Sequence, residues 1–127
     1  MYHVREAGSA IPVVTAPFGL TLGGGAEIAM AGNAIQASAE LYMGLVEVGV
    51  GLIPGGGGNV QLMRNVFGGA AGNKDFDPLP FLKKLFLTIG TAKVATSAEE
   101  AREAGFLCVQ DGISMNRDFL LCDAKQR

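Results

Sequence analysis

Residues 20–30, LTLGGGAEIAM, set a glutamate directly behind three glycines and surround it with apolar side chains. Residues 7–63 contain no lysine or arginine, and their only charged side chains are Glu27, Glu40 and Glu47. A triple glycine at a helix start lets the backbone approach a ligand closely, and it leaves N–H groups that the helix dipole reinforces. The stretch therefore predicts a helix that begins at the glycines, with an anion or oxyanion site at its start.

The composition indicates one small domain with an excess of apolar residues. The chain has 127 residues, of which 49% are hydrophobic, and a mean hydropathy of +0.31. That excess suggests a buried face that awaits a partner, or a piece of a larger fold. The net charge of -2 predicts no nucleic-acid partner. The uncharged N-terminal run contains Pro12 and Pro17 and lacks a preceding basic cluster, so we expect no membrane segment and a cytoplasmic location.

The residues that commonly bind metals are scarce. The chain has one histidine, His3, and two cysteines, Cys108 and Cys122. We therefore predict no metal site, and we expect both cysteines to be plain thiols, buried or half exposed, in a reducing compartment.

The first half predicts short strands around one helix. Residues 11–19 have the β-branched run and closing glycine of a buried strand, residues 23–33 a helix, and residues 34–44 two further strands. Residues 49–58 are rich in turn formers, and a second helix is expected to run from this glycine cluster to residue 67. The apolar side of that helix is predicted to hold Val60, Met63, Val66 and Phe67.

The second half predicts a linker at 68–80 and a helical tail at 81–127. Within the tail, residues 81–90 are amphipathic, with Phe81, Leu82, Leu85 and Phe86 on one face. Residues 96–106 contain a capping box of Ser97 and Glu100, and Gly105 stands where a helix commonly ends. A last helix is expected to begin in residues 115–127.

Glu27 has two interpretations. A carboxylate near a helix start favours the dipole, which is a structural role. An apolar setting also suits a general acid or base, and Glu47 is a second lone carboxylate in such a setting. Two carboxyls that face one substrate can hold different protonation states, one giving and one taking a proton. Glu40 is expected to be a solvated residue between strands.

Residues 12–64 resemble the central segment of the enoyl-CoA hydratase/isomerase, or crotonase, superfamily. The triple glycine, both glutamates and the Pro-Gly-rich turn occur in the family's order. The resemblance implies an α/β fold, the later part of a crotonase-like (ClpP/crotonase) spiral, with a central segment at 1–67 followed mainly by helices. Arg5 and Glu6 resemble the helix that precedes the central strand, so the N-terminal part of the fold is expected to be missing.

The resemblance also implies site residues and a substrate. Gly24, flanked by Gly23 and Gly25, becomes a backbone N–H donor to the thioester oxygen of an acyl-CoA. Glu27 and Glu47 become the pair that holds the water added across the 2,3 double bond, one as base and the other as acid. Coenzyme A enters as part of the substrate, and no tightly bound cofactor is implied.

The tail is similar to that of bacterial multifunctional β-oxidation proteins that also contain a 3-hydroxyacyl-CoA dehydrogenase. The nicotinamide fingerprint G-x-G-x-x-G is incomplete here, because Gly49 and Gly51 begin it but Pro54 occupies the third glycine position. NAD is therefore expected only in a parent domain outside this chain. The expected partners are further copies, as in the family's trimers, or the rest of the parent polypeptide. The alternative is a non-catalytic packing or oligomerisation module whose glutamates are satisfied by local hydrogen bonds.

Overall fold

The computed structural model describes residues 11–68 and 75–127. The expectations for His3, for Arg5 and Glu6, and for the part of the linker at 69–74 fall outside these residues. The described residues form a mixed α/β structure, with short strands in the first half and mainly helices in the second, as the sequence predicts. The described ranges contain no helix that is long and apolar enough to span a membrane.

The strands form two small parallel sheets, one of three strands in the order β1-β3-β5 and one of two strands, β2-β4. Their bounds are β1 Val14–Thr15, β2 Gly19–Leu22, β3 Ala34–Ser38, β4 Leu41–Gly44 and β5 Gly112–Ser114. In the second sheet Leu22 pairs with Gly44, so the segments that follow β2 and β4 leave from the same edge. This pairing determines where the site lies.

Five α-helices and two 3₁₀ helices connect and cover the strands in the described part of the chain. They are α1 Gly24–Met30, α2 Gly58–Phe67, α3 Leu79–Gly90, α4 Ala98–Ala104 and α5 Leu120–Lys125, with 3₁₀ turns at Glu47–Val50 and Arg117–Phe119. The predictions of α1, of β3 and β4, and of α2 and α4 are confirmed. The 3₁₀ turn Glu47–Val50 was not predicted, and it overlaps only the start of the stretch 49–58 that is predicted as turns.

The core draws on both halves of the chain. Met30, Ile35 and Met43 of the first half are fully buried, and so is Phe106 of the second half. The tail at 81–127 also contains a strand that was not predicted, because β5 lies within it and pairs with β3, Ala37 opposite Ile113. The division at 68–80 stays a prediction, and α3 begins inside it at Leu79.

Two predicted apolar faces are oriented differently in the structure. In α2 the fully buried side chain is Leu62, whereas Val60 is 54% exposed and Met63 is 45% exposed. Leu62 and Val66 point at Gly105, where an added Cβ would lie 3.4 Å from Leu62 Cδ1 and 2.7 Å from Val66 Cγ2. Contact with the end of α4 therefore decides which face turns inward.

The second correction concerns α3. Leu85 and Thr88 are its buried residues, while Phe86 is 76% exposed. Phe81 and Leu82 of the same predicted face are also exposed. Only a narrow stripe of α3 packs on the core of this chain, and most of the predicted apolar face remains uncovered by described residues.

Candidate active site

The glycines after β2 form a sharp entry into α1. Gly23 has φ 54° and donates its N–H to the carbonyl of Gly44 at 2.8 Å. The backbone N–H groups of a helix's first turn have no partner within the helix. A Cβ added at Gly24 or Gly25 would meet no heavy atom within 4 Å, so the space in front of these two residues is open.

Glu47 lies against this entry. It is the first residue of the 3₁₀ turn after β4, and its Oε1 lies 3.2 Å from the position that a Cβ on Gly23 would take. Its Oε2 is buried and makes no hydrogen bond to any residue within 11–68 or 75–127. One carboxylate oxygen of Glu47 thus lies buried near the start of α1 without a hydrogen-bond partner among the described residues.

Glu27 lies one helical turn into α1, where its N–H donates to the carbonyl of Gly23 at 3.1 Å. Its half-buried carboxylate crosses to the glycine-rich segment before α2. The Gly56 N–H donates to both oxygens, at 2.9 and 3.0 Å, and the Gly58 N–H donates to Oε1 at 2.9 Å. Glu27 therefore has local hydrogen-bond partners, as the structural interpretation of this residue expected.

The parallel pairing of β2 with β4 brings both carboxylates to one edge. Gly23 and α1 follow β2, and the turn that begins at Glu47 follows β4, so both elements leave the sheet at its carboxyl end. Glu27 and Glu47 both flank the first turn of α1. Glu40, in contrast, is exposed between β3 and β4, as expected, and lies outside this arrangement.

Gly56 and Gly58 are the site residues that sequence reasoning missed. The glycine cluster at 55–58 was interpreted as a turn and a helix start, which it is, but its backbone also serves as the hydrogen-bond donor to Glu27. The signal was the number of consecutive glycines, which exceeds what one turn requires.

The cysteines and the other side chains that commonly bind metals were not expected to form a metal site. Cys108 is half buried, as expected, whereas Cys122 is exposed, and the two cysteines form no disulfide. Across the two described ranges, no group of three or more His, Cys, Asp or Glu side chains could hold a metal ion.

Comparison with known proteins yields relatives that match from 44% to 93% of this chain. No protein-family model matches the chain. A Bacillus subtilis (strain 168) protein named "Probable 3-hydroxyacyl-CoA dehydrogenase" is 55% identical over 118 residues, which are 93% of this chain and 14% of that protein. The mitochondrial methylglutaconyl-CoA hydratase of Mus musculus is 45% identical over 56 residues, 44% of this chain and 18% of that enzyme.

Among solved structures, the enoyl-CoA hydratase from Bacillus anthracis superposes with a TM-score of 0.69 at 27% identity, over 97% of this chain and 40% of that one. The chain belongs to the crotonase superfamily. The predicted family and fold class are therefore confirmed. This crotonase segment spans well under half the length of each of the three proteins described above, from 14% to 40%.

Proposed function

We propose that this chain is part of an enoyl-CoA hydratase domain and that Glu27 and Glu47 catalyse the addition of water to a 2-enoyl-CoA. One observation carries the proposal. Glu27 and Glu47 lie in the two elements that follow the paired strands β2 and β4, and Glu47 keeps a buried oxygen without a hydrogen-bond partner among the described residues. Similarity to a methylglutaconyl-CoA hydratase and to solved enoyl-CoA hydratases supports it.

The proposed reaction uses the residues as follows. The water oxygen forms a bond to C3 of the enoyl thioester while one carboxylate takes a proton from the water. The electron pair of the double bond moves toward the thioester, and C2 receives a proton from the other carboxyl, which completes the 3-hydroxyacyl-CoA. The Gly24 N–H, flanked by Gly23 and Gly25, stabilises the negative charge that develops on the thioester oxygen. Coenzyme A is part of the substrate, and the proposed steps use only these groups.

We further infer that the chain works within a larger polypeptide of fatty-acid β-oxidation. The name of the B. subtilis relative and the small share of it that this chain covers support this. An NAD-dependent 3-hydroxyacyl-CoA dehydrogenase elsewhere in such a polypeptide would consume the 3-hydroxyacyl-CoA formed here. A cytoplasmic location and an assembly of several copies complete the proposal.

The test is the loss of enoyl-thioester absorbance when the complete natural polypeptide meets a short 2-enoyl-CoA. We expect Glu27→Gln and Glu47→Gln each to lower kcat by about 10²- to 10⁴-fold, because each removes a group that transfers a proton. Glu40→Gln is the matched control, since Glu40 is an exposed carboxylate outside the site, and it should retain wild-type activity. Wild-type turnover in both site variants would contradict the proposal.

The second candidate is a packing or oligomerisation module without catalysis. The exposed side of α3 favours it, because Phe86 is 76% exposed and Leu87 is 60% exposed. Such a module would self-associate and would bind no acyl-CoA. Calorimetric titration with a 2-enoyl-CoA, beside sedimentation of the same sample, separates the two functions.

A further inference from the structure

The residue at the N-cap position of helix α2 has no side chain that could cap the helix. Its N-cap is Gly57, with φ 102° and no side chain to accept a hydrogen bond from the first turn. The Glu27 carboxylate of α1 accepts the N–H of Gly58, the first residue of α2, at 2.9 Å, and it also accepts the N–H of Gly56. An anionic acceptor at a helix start satisfies free N–H groups and is favoured by the dipole.

We propose that Glu27 caps α2 from a different helix, and that Gly56 and Gly58 are positioning residues that fix its carboxylate. The positioning part rests on the proposed hydratase function, whereas the capping part concerns the fold alone. The hydrogen bonds come from backbone N–H groups, so the carboxylate is held by the backbone at and before the start of α2 rather than by another side chain. One residue thus connects α1, α2 and the candidate reaction centre.

Steric fit explains why these positions are glycine. A Cβ on Gly56 would overlap Glu27 Oε2, and a Cβ on Gly58 would lie 2.8 Å from Leu45 Cδ2 and 2.9 Å from Glu27 Cγ. Gly55, the neighbouring glycine, differs in this respect. Its nearest contact would be the carbonyl oxygen of Ile53 at 3.8 Å, which is ordinary van der Waals distance. Gly55→Ala is therefore a matched control for Gly56→Ala.

The first experiment is a double-mutant cycle on the complete natural polypeptide, measured as the urea midpoint of unfolding. Gly56→Ala should lower the midpoint in the wild type and should lower it less in a Glu27→Ala background, because the overlapping carboxylate is then gone. Gly55→Ala should cause the same shift in both backgrounds. Equal shifts for Gly56→Ala in both backgrounds would overturn the proposed contact.

Amide hydrogen exchange provides a measurement that does not depend on the stability of the Gly56 variant. The Gly56 and Gly58 N–H groups should exchange at least about 10-fold faster in Glu27→Ala than in the wild type, and Glu47→Gln should leave their rates unchanged. Unaltered rates in Glu27→Ala would overturn the capping role.

Kinetics separate this inference from the proposed function. Gly56→Ala should lower kcat by about 10²-fold with little change in KM, because it displaces the Glu27 carboxylate and leaves the Gly24 N–H unchanged. An active wild type whose kcat is insensitive to Gly56→Ala would overturn the positioning role and leave the hydratase function standing. If Gly56→Ala and Glu27→Ala are coupled in the urea midpoints but the wild type shows no turnover, the capping role of Glu27 is supported and the hydratase function is overturned.

Discussion

Gly23 is the residue on which the geometry of the proposed site depends most closely. It combines a positive φ of 54° with a Glu47 oxygen 3.2 Å from the place of a Cβ. We expect Gly23→Ala to lower the free energy of unfolding by about 1–2 kcal/mol, because an L side chain is strained in this conformation. Urea unfolding measures the change.

The control for this substitution is Gly25→Ala. Gly25 lies within α1, and an added Cβ there meets no heavy atom within 4 Å. Alanine in a helix is favoured over glycine by roughly 0.5–1 kcal/mol, so this variant should be as stable as the wild type or more stable. Equal losses for the two variants would show that the backbone at Gly23 is unstrained and that Glu47 does not lie against it.

At the residue scale, the sequence indicated which side chains are candidates for the site, but it did not indicate which backbone N–H groups bind them. Glu27 and Glu47 could be proposed as site residues because they are isolated charges in an apolar stretch, and the glycines at 23–25 because they precede a helix pattern. The Gly56 and Gly58 N–H groups could not be assigned to Glu27, because every residue except proline carries such a donor. Only the fold determines which donor lies within 3 Å of a carboxylate almost thirty residues away.

Among the elements, α4 shows most directly how local sequence determines a helix end. Ser97 Oγ accepts the Glu100 N–H at 3.1 Å, and the Glu100 carboxylate accepts the N–H and the hydroxyl of Thr96, each at 2.8 Å. The predicted capping box is thus confirmed for Ser97, while the return bond goes to Thr96 instead of Ser97. The hydrogen bond from the Thr96 N–H lowers the pKa of Glu100, with smaller contributions from the Thr96 hydroxyl and Lys93.

The lowered pKa of Glu100 predicts that the free energy of unfolding falls at acidic pH. Because the pKa of Glu100 is lower in the folded state than in the unfolded state, its contribution to stability is complete above the usual glutamate pKa and is lost as the pH falls through the lowered value. Glu100→Gln should therefore flatten the loss of unfolding free energy between neutral and acidic pH. Urea unfolding at a series of pH values measures the slope, with Glu103→Gln of the same helix as control. An unchanged slope in Glu100→Gln would contradict the prediction.

Elements that begin or end at a local sequence motif could be predicted. Elements that form only because another element lies beside them could not. The caps of α4 and the glycines before α1 and α2 are readable from a few neighbouring residues. β5 has only three residues, Gly112–Ser114, and it is a strand because β3 lies beside it. The exposed side of α3 was misassigned for a related reason, since periodicity identifies an apolar face without showing whether this chain covers it.

On the scale of the whole molecule, the tail and the crotonase segment share one core. Asp111, which is 5% exposed, precedes β5 and accepts the N–H of Ile35 in β3 at 3.0 Å and that of Cys108 at 2.6 Å. Arg102 of α4 donates to the Asp111 backbone carbonyl at 3.0 Å. The bond between Asp111 and Ile35 joins the tail to the first half of the chain, so the two halves are expected to unfold together.

Removal of the Asp111 carboxylate tests this cooperativity. Asp111→Ala removes the acceptor of the buried Ile35 N–H and of the part-buried Cys108 N–H. The loss should cost about 1–3 kcal/mol for each group that becomes unsatisfied. The loss should appear as an earlier single transition, seen at the same urea concentration by far-UV circular dichroism and by hydrogen exchange in β3 and β5. Asp118→Ala, at an exposed carboxylate of the tail, should shift the transition much less. A variant in which β5 loses protection while β3 keeps it would contradict a shared core, because the tail would then unfold as an independent unit.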